Sequence, residues 1–205
     1  MSEPKTPAPR TKGRPPSIDR VSALDAAVLT FWEKGYEGTS LTDLTDAMQL
    51  SRPSLYSAFG DKAKLFDAAL VRYAETIGNA AMIAFETEPD IAQAVWNFLK
   101  VSAEGNTNQD YPTGCLIGCC APAAAQADNI VRDRMKCLLS ATENQLAERF
   151  AKEFGSHALM SPQARAAMML DFINAQSIRA RAGATRADLM AGLEAKVQAV
   201  LRDQM

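Results

Sequence analysis

The chain has 205 residues and 22.2 kDa, is 47% apolar, and carries 22 basic against 24 acidic side chains for a net charge of −2. That is enough apolar material for one large domain or a small one joined to a larger one, and the overall charge gives no hint of nucleic acid. No run approaches the ~18 apolar residues that a membrane span needs, and the N-terminus has no apolar h-region, so a cytosolic protein is expected.

The distribution of charge says more than its sum. Residues 1 to 16, read as a disordered basic arm, hold Lys5, Arg10, Lys12 and Arg14 against Glu3 alone. From there the apolar positions keep helical spacing, without sustained alternation of β-branched residues, which predicts an all-α fold. Ser17 is placed to cap a first helix with the inner stripe Val21, Leu24, Val28 and Phe31, ending at Gly35. Ser40 and Asp43 form a capping pair for a second helix of about two turns with Leu41, Leu44 and Met48 on one face. After a bend at Gln49-Leu50, Ser51 caps a third short helix in which Pro53 is tolerated in the first turn. Gly60 ends it, and Asp61 caps a long fourth helix running through Leu65, Phe66, Ala69, Leu70, Tyr73 and Ile77.

Two short helices joined by a tight turn and braced by longer ones make a helix-turn-helix, predicted over residues 17–73. A third helix this brief cannot stand alone, so Phe31, Leu44, Leu55 and Leu65 are expected to hold it from behind. Its early turns present Arg52, Pro53, Ser54 and Ser57, where a recognition helix meets base edges in the major groove. Tyr56 and Lys62 suit phosphate, as do Ser40 and Thr42 near the start of the second helix. Lys12 belongs to the basic arm, and the extended backbone of "KGRPP" suits insertion of Arg14 into a minor groove.

The run "GYEGTSLTDLTDAMQLSRPSLYSAFGDKAKLFDAAL" resembles the DNA-binding head of the tetracycline-repressor (TetR) family of bacterial regulators, over roughly residues 14 to 73. The resemblance implies a ligand-responsive repressor that binds a palindromic DNA operator as a homodimer, is not an enzyme and needs no cofactor. The family usually has glycine in the turn where this chain has Gln49, so a non-glycine residue is expected at positive φ, at a cost on the order of 1 kcal/mol.

Residues 74–205 read as a larger helical body for ligand binding and dimerisation. One helix extends to about Phe85 and breaks at Pro89; another carries Ile91, Val95, Phe98 and Leu99 and leads into the polar loop "EGNTNQDYPTG". Helices are then predicted over 114–127, 129–154, 161–182 and 186–202, the last pair rich in alanine and methionine and suited to a four-helix dimer contact, with an ordinary intramolecular core as the alternative. In a dimer, two recognition helices ~34 Å apart read a palindrome. Trp96, Tyr111, Phe172 and Gln176 are candidate walls of a ligand cavity, with ordinary core packing as the alternative.

The segment "YPTGCLIGCCAP" places Cys115 in a predicted first helical turn, where the dipole favours thiolate, with Cys119 one turn on and Cys120 rotated away. Cys137 is the fourth cysteine; the set is too small and clustered for a secreted disulfide framework. A zinc site is disfavoured, because the spacing is not CxxC and the single histidine, His157, lies far along the chain. Two readings stay open: small buried apolar residues, or a sensor of oxidants or electrophiles in which Cys115 pairs with Cys119 or Cys120. The "GCL" segment resembles a branch of the same family in which some members sense through that cysteine. Two rival functions make different predictions. A helical thiol-dependent redox enzyme using Cys115 and Cys119 would turn over peroxide without DNA, and an adaptor with a basic head would show no preference for a duplex sequence.

Overall fold

The computed structural model describes residues 19–155 and 158–202, and these are helical without strands. The arm with Lys12 and Arg14, the Ser17 cap and His157 lie outside the described residues. Helix α1 (Arg20–Gly38) is capped by Asp19, whose carboxylate accepts from the Val21 and Ser22 N–H groups. Its buried face is Ala23, Ala27, Val28, Phe31 and Trp32. Val21, expected inside, is 56% exposed in the first turn, and Leu24 is half-buried. Gly35, at φ 72°, breaks the helical path three residues before α1 closes.

Helix α2 (Leu41–Met48) starts on the reciprocal Ser40–Asp43 capping box, which satisfies two orphan donors at once. Gln49 sits at φ 54°, ψ 40°, and the Leu50 N–H donates to the Thr45 carbonyl at 3.0 Å, closing α2 as a Schellman motif with a side chain where glycine is cheapest. Helix α3 (Arg52–Phe59) follows from the Ser51 cap, and α4 (Lys62–Glu75) from the Asp61 cap. Phe31, Leu44, Leu55 and Leu65 are all essentially inaccessible and meet in one cluster behind α3.

The body differs from expectation in three places. The fourth helix stops at Glu75 rather than continuing, because Thr76 leaves helical geometry and the Gly78 that follows lies against the Tyr73 ring. A 3-10 turn (Ile77–Asn79) leads to α5 (Ala80–Glu86), and then α6 (Ile91–Asn106) begins on an Asp90 cap. The segment expected as one helix over 114–127 starts as a π-helical turn, Leu116–Cys120, and continues as α7 (Ala121–Ala127) with Pro122 in its first turn. After α8 (Asn129–Phe154) and α9 (Pro162–Arg181), the final helix divides into α10 (Arg186–Met190) and α11 (Leu193–Leu201) because Gly192 adopts φ 71°.

Packing runs across residue 73. The cluster behind α3 continues through Tyr73 into Leu116, Cys120, Ala121, Ala124 and Val131, so the π turn and α7 complete the core of the head. A second cluster joins Phe85, Phe98, Leu99, Phe150, Met169 and Val197 in the body. Leu189, Leu193 and Val200 of α10 and α11 are buried within the chain. Ala164, Ala175 and Ile178 of α9 stay exposed, Ile178 at 60%.

Candidate nucleic-acid interface and effector cavity

The outer face of α3 is polar because only Leu55 of its eight residues is fully buried. Arg52, Pro53, Tyr56 and Ser57 are exposed, Tyr56 at 48%. The Arg52 guanidinium donates to the Thr42 hydroxyl at 3.0 Å, joining two of the sequence-chosen residues across the turn. Ser54 is less free than expected. It is half-buried, and its hydroxyl lies 2.8 Å from that of Ser51, the N-cap that accepts from the Ser54 N–H. The Ser40 hydroxyl is likewise engaged, accepting from the Asp43 N–H at 3.0 Å and donating to its carboxylate at 2.6 Å. Lys62 Nζ lies 4.4 Å over the Tyr36 ring, a cation–π contact that holds the charge at the end of the head.

Three charged contacts stiffen this platform. Lys34 pairs with Asp43 at 2.5 Å, and with Ser40 it holds the Asp43 carboxyl well below the ordinary carboxylate range. Arg72 of α4 grips Asp25 of α1 through two donors at 2.7 and 3.1 Å. Arg134 of α8 grips Asp67 of α4 in the same two-pronged way at 2.7 and 3.2 Å, which fastens the head to the body.

Behind the head lies a cavity of about 910 Å³ between α4, α6, α8 and α9. Tyr111, a residue chosen from sequence, lines it; the other three do not. Trp96 faces a shallow surface groove beside α11, the Phe172 ring is covered by Lys196 Nζ at 5.7 Å, and Gln176 is buried with its amide donating to the Leu99 carbonyl. The last result favours core packing for Gln176.

Sequence reasoning missed Trp32, a head residue that reaches the cavity wall. Its ring stacks on Tyr111 with centroids 5.6 Å apart and meets Tyr73 edge-on at 5.0 Å. The available signal was spacing: Val28, Phe31 and Trp32 widen the apolar stripe of α1 toward its end.

The cysteines gather where head, cavity and α9 meet. Cys115 lines the cavity, and its N–H donates to the Ser177 hydroxyl at 2.7 Å. That hydroxyl also lies 3.0 Å from Cys119 Sγ. Gly114, at φ 79°, permits the approach: a Cβ there would fall 2.8 Å from Cys119 Sγ and 2.9 Å from the Ser177 carbonyl. The expectation that a helix dipole favours Cys115 thiolate is overturned. Cys115 precedes the π turn in extended geometry, and burial pushes its thiol up, against the hydrogen bond it shares with Tyr73. Burial likewise raises Cys120 to about 11 despite the neighbouring Arg181 guanidinium. Cys137 is exposed on α8. Among the described residues no cluster of His, Cys, Asp and Glu has metal-holding geometry. No helix among them is long and apolar enough to cross a membrane.

Comparison with known proteins agrees with this geometry. A family described as bacterial regulatory proteins, tetR family, matches residues 23–69. The HTH-type transcriptional repressor ComR of Escherichia coli is 31% identical over 191 residues, covering 88% of both chains. The E. coli repressor BdcR is 30% identical over 108 residues, 53% of this chain and 55% of its own. Among solved structures, a cysteine mutant of the TetR family regulator CifR, complexed with 26-bp double-strand operator DNA, is 29% identical with a TM-score of 0.82, over 91% of this chain and 99% of its own. The thiol-enzyme alternative finds no support in these relatives. The chain belongs to the tetR family of bacterial regulatory proteins.

Proposed function

We propose that the chain is a DNA-binding transcriptional repressor that grips a palindromic operator as a homodimer. The observation that carries this reading is the exposed polar face of α3, with Arg52, Tyr56 and Ser57 outward and Leu55 locked in the core behind. In this reading α3 enters the major groove, and Lys62 and Thr42 meet flanking phosphates. The exposed apolar stripe of α9 (Ala164, Ala175 and Ile178) contributes to the dimer contact alongside the last helices. The relatives named repressors and the operator-bound CifR support the assignment.

Release follows when a small molecule enters the cavity and shifts α4 against α8, changing the spacing of the two heads. A 100-fold loss of operator affinity needs ~2.7 kcal/mol of coupling, within the ordinary range for allosteric proteins. A second route, modification of a thiol, is favoured by one observation: Cys115 lines the cavity and bonds Tyr73 on α4, so an adduct there would press on the head directly.

Gel shifts against the DNA upstream of the protein's own coding region, repeated over a salt series, test the function. A repressor gives a shifted band that depends on sequence and weakens steeply with salt as phosphate contacts are lost. An adaptor binds every duplex alike or none, and a thiol enzyme consumes peroxide whether or not DNA is present.

A further inference from the structure

Resting on the reading of the cavity as the effector site, we infer that it takes an uncharged, flat organic molecule bearing hydrogen-bonding groups, sensed through Trp32 of the head rather than through the body alone.

The chemistry of the wall selects the class. Its aromatic members are Trp32, Tyr73, Phe98 and Tyr111, which offer faces and edges to a planar ligand. Its interior polar members are amides and hydroxyls, Asn106, Asn174 and Thr142 among them. These both donate and accept, so they orient a neutral polar group without demanding charge. Formal charge is confined to Glu75, Glu104 and Arg186. Glu75 and Arg186 are exposed, and Arg186 is turned to the Thr107 hydroxyl at 3.5 Å. An anion would therefore lose its water beside two carboxylates with one solvated cation to answer it, and a buried charge without a close partner is expensive. A cation would find one carboxylate solvated, that of Glu75, and one half-buried, that of Glu104.

Trp32 is the natural reader because it belongs to both units. The residue is 1% exposed, and its indole Nε1 is buried without a hydrogen-bond partner among the described residues. Tyr111, 36% exposed on the loop after α6, stacks over the ring. A planar ligand that takes the place of Tyr111 keeps the stacking over the ring face. The backbone of the same residue is held from the body: the Trp32 carbonyl accepts from Arg181 of α9 at 2.9 Å and lies 3.6 Å from the Cys120 thiol. Movement of the ring therefore reaches a latch between head and body within one residue.

A matched pair of fluorescent probes tests the inference without DNA, so its failure is separate from failure of the repressor reading. N-phenyl-1-naphthylamine is the uncharged probe, and 8-anilinonaphthalene-1-sulfonate carries the same ring system with a sulfonate. The expected result is saturable binding of the uncharged probe and binding of the sulfonate weaker by about tenfold or more, as a buried unpaired charge requires. Trp32→Phe should weaken the uncharged probe about tenfold, through loss of the larger stacking ring. Trp96→Phe should leave it unchanged. Because Trp32 is part of the head core, Thr142→Trp provides a second variant that fills the cavity from α8, and it should abolish binding while the helical circular dichroism stays intact. Tighter binding of the sulfonate, tighter binding of cationic ethidium that Glu104→Gln removes, or uncharged-probe binding insensitive to both Trp32→Phe and Thr142→Trp would each overturn the inference.

Discussion

Arg181, near the end of α9, donates to the carbonyl of Trp32 on α1, 149 residues earlier in the chain, at 2.9 Å. The carbonyl is available because Gly35 breaks α1 just beyond it, leaving last-turn acceptors without their helical partners. The guanidinium satisfies one of them, and its cationic charge at a helix C-terminus adds a favourable dipole contact. The same group reaches Cys120 Sγ at 3.1 Å, so head, π turn and α9 meet at one side chain.

Arg181→Met should therefore loosen the joint between head and body. The expected loss is about 1.5 kcal/mol, the low end for a charge-assisted hydrogen bond because Arg181 is partly solvated. Urea denaturation measures it. In gel shifts, operator affinity should change little without effector while the response to effector weakens, since the latch lies off the DNA face.

Arg52→Ala should relax the sequence preference of DNA binding. The side chain is exposed and its one hydrogen bond among the described residues is with Thr42, so stability should change by less than about 0.5 kcal/mol. Discrimination at one base pair in each half-site should fall by about 1–3 kcal/mol. Binding assays on a panel of single-base operator variants check this, and an unchanged preference would mean that α3 does not read bases through Arg52.

Gln49→Gly should stabilise the head by about 0.5–1 kcal/mol, because the turn holds a non-glycine residue in the left-handed region. Thermal unfolding reads the effect. A loss of stability would show that the Gln49 side chain contributes more than its backbone strain costs.

Acid should weaken the capping box of α2. The Asp43 carboxyl titrates below its ordinary value of 3.8 because Lys34 and Ser40 favour the charged form. A group with a lowered folded pKa contributes stability that is full above its unfolded value and is lost as pH falls through the folded one. The contribution is thus intact at neutral pH and begins to fade below about pH 4. Asp43→Asn should be less stable than the parent at pH 7, and the gap should narrow as the pH is lowered toward 3 in urea titrations.

The thiols should react in order of exposure. Burial keeps Cys115 and Cys120 protonated at neutral pH, whereas Cys137 stands on the surface of α8. Brief iodoacetamide treatment at pH 7 followed by mass spectrometry should find Cys137 labelled first and Cys120 last. Cys115→Ser then tests the thiol route: a variant that still leaves operator DNA on treatment with an electrophile removes Cys115 from the sensing step.

The head was legible because its determinants are local. Ser40 with Asp43, Ser51 before Pro53, and Asp61 after Gly60 each mark a boundary through contacts spanning three residues or fewer, so reading along the chain recovers α2, α3 and the start of α4. The spacing of Leu44, Leu55 and Leu65 likewise announces which face is inward, and Arg52 and Tyr56 are outward by subtraction. Ser54 shows the limit even there, since a serine at the third position of a helix looks outward in a sequence and turns to its own cap in space.

The body depends on partners that are far apart in the chain. Read from its neighbours alone, Cys115 opens a helix and favours thiolate, but Tyr73, Ser177 and the surrounding core make it a half-buried thiol at the start of a π turn. Trp32 reads as one more apolar residue of α1 until α4, the 107–115 loop and Arg181 converge on it from three directions. Cap motifs and helical periodicity are set by neighbours within a turn or two, so the amino-acid order alone establishes the all-α class and the DNA-facing helix. The cavity, the raised thiol pKa values and the latch between head and body arise from desolvation and from contacts across 41 to 149 residues, which exist only once the helices have packed.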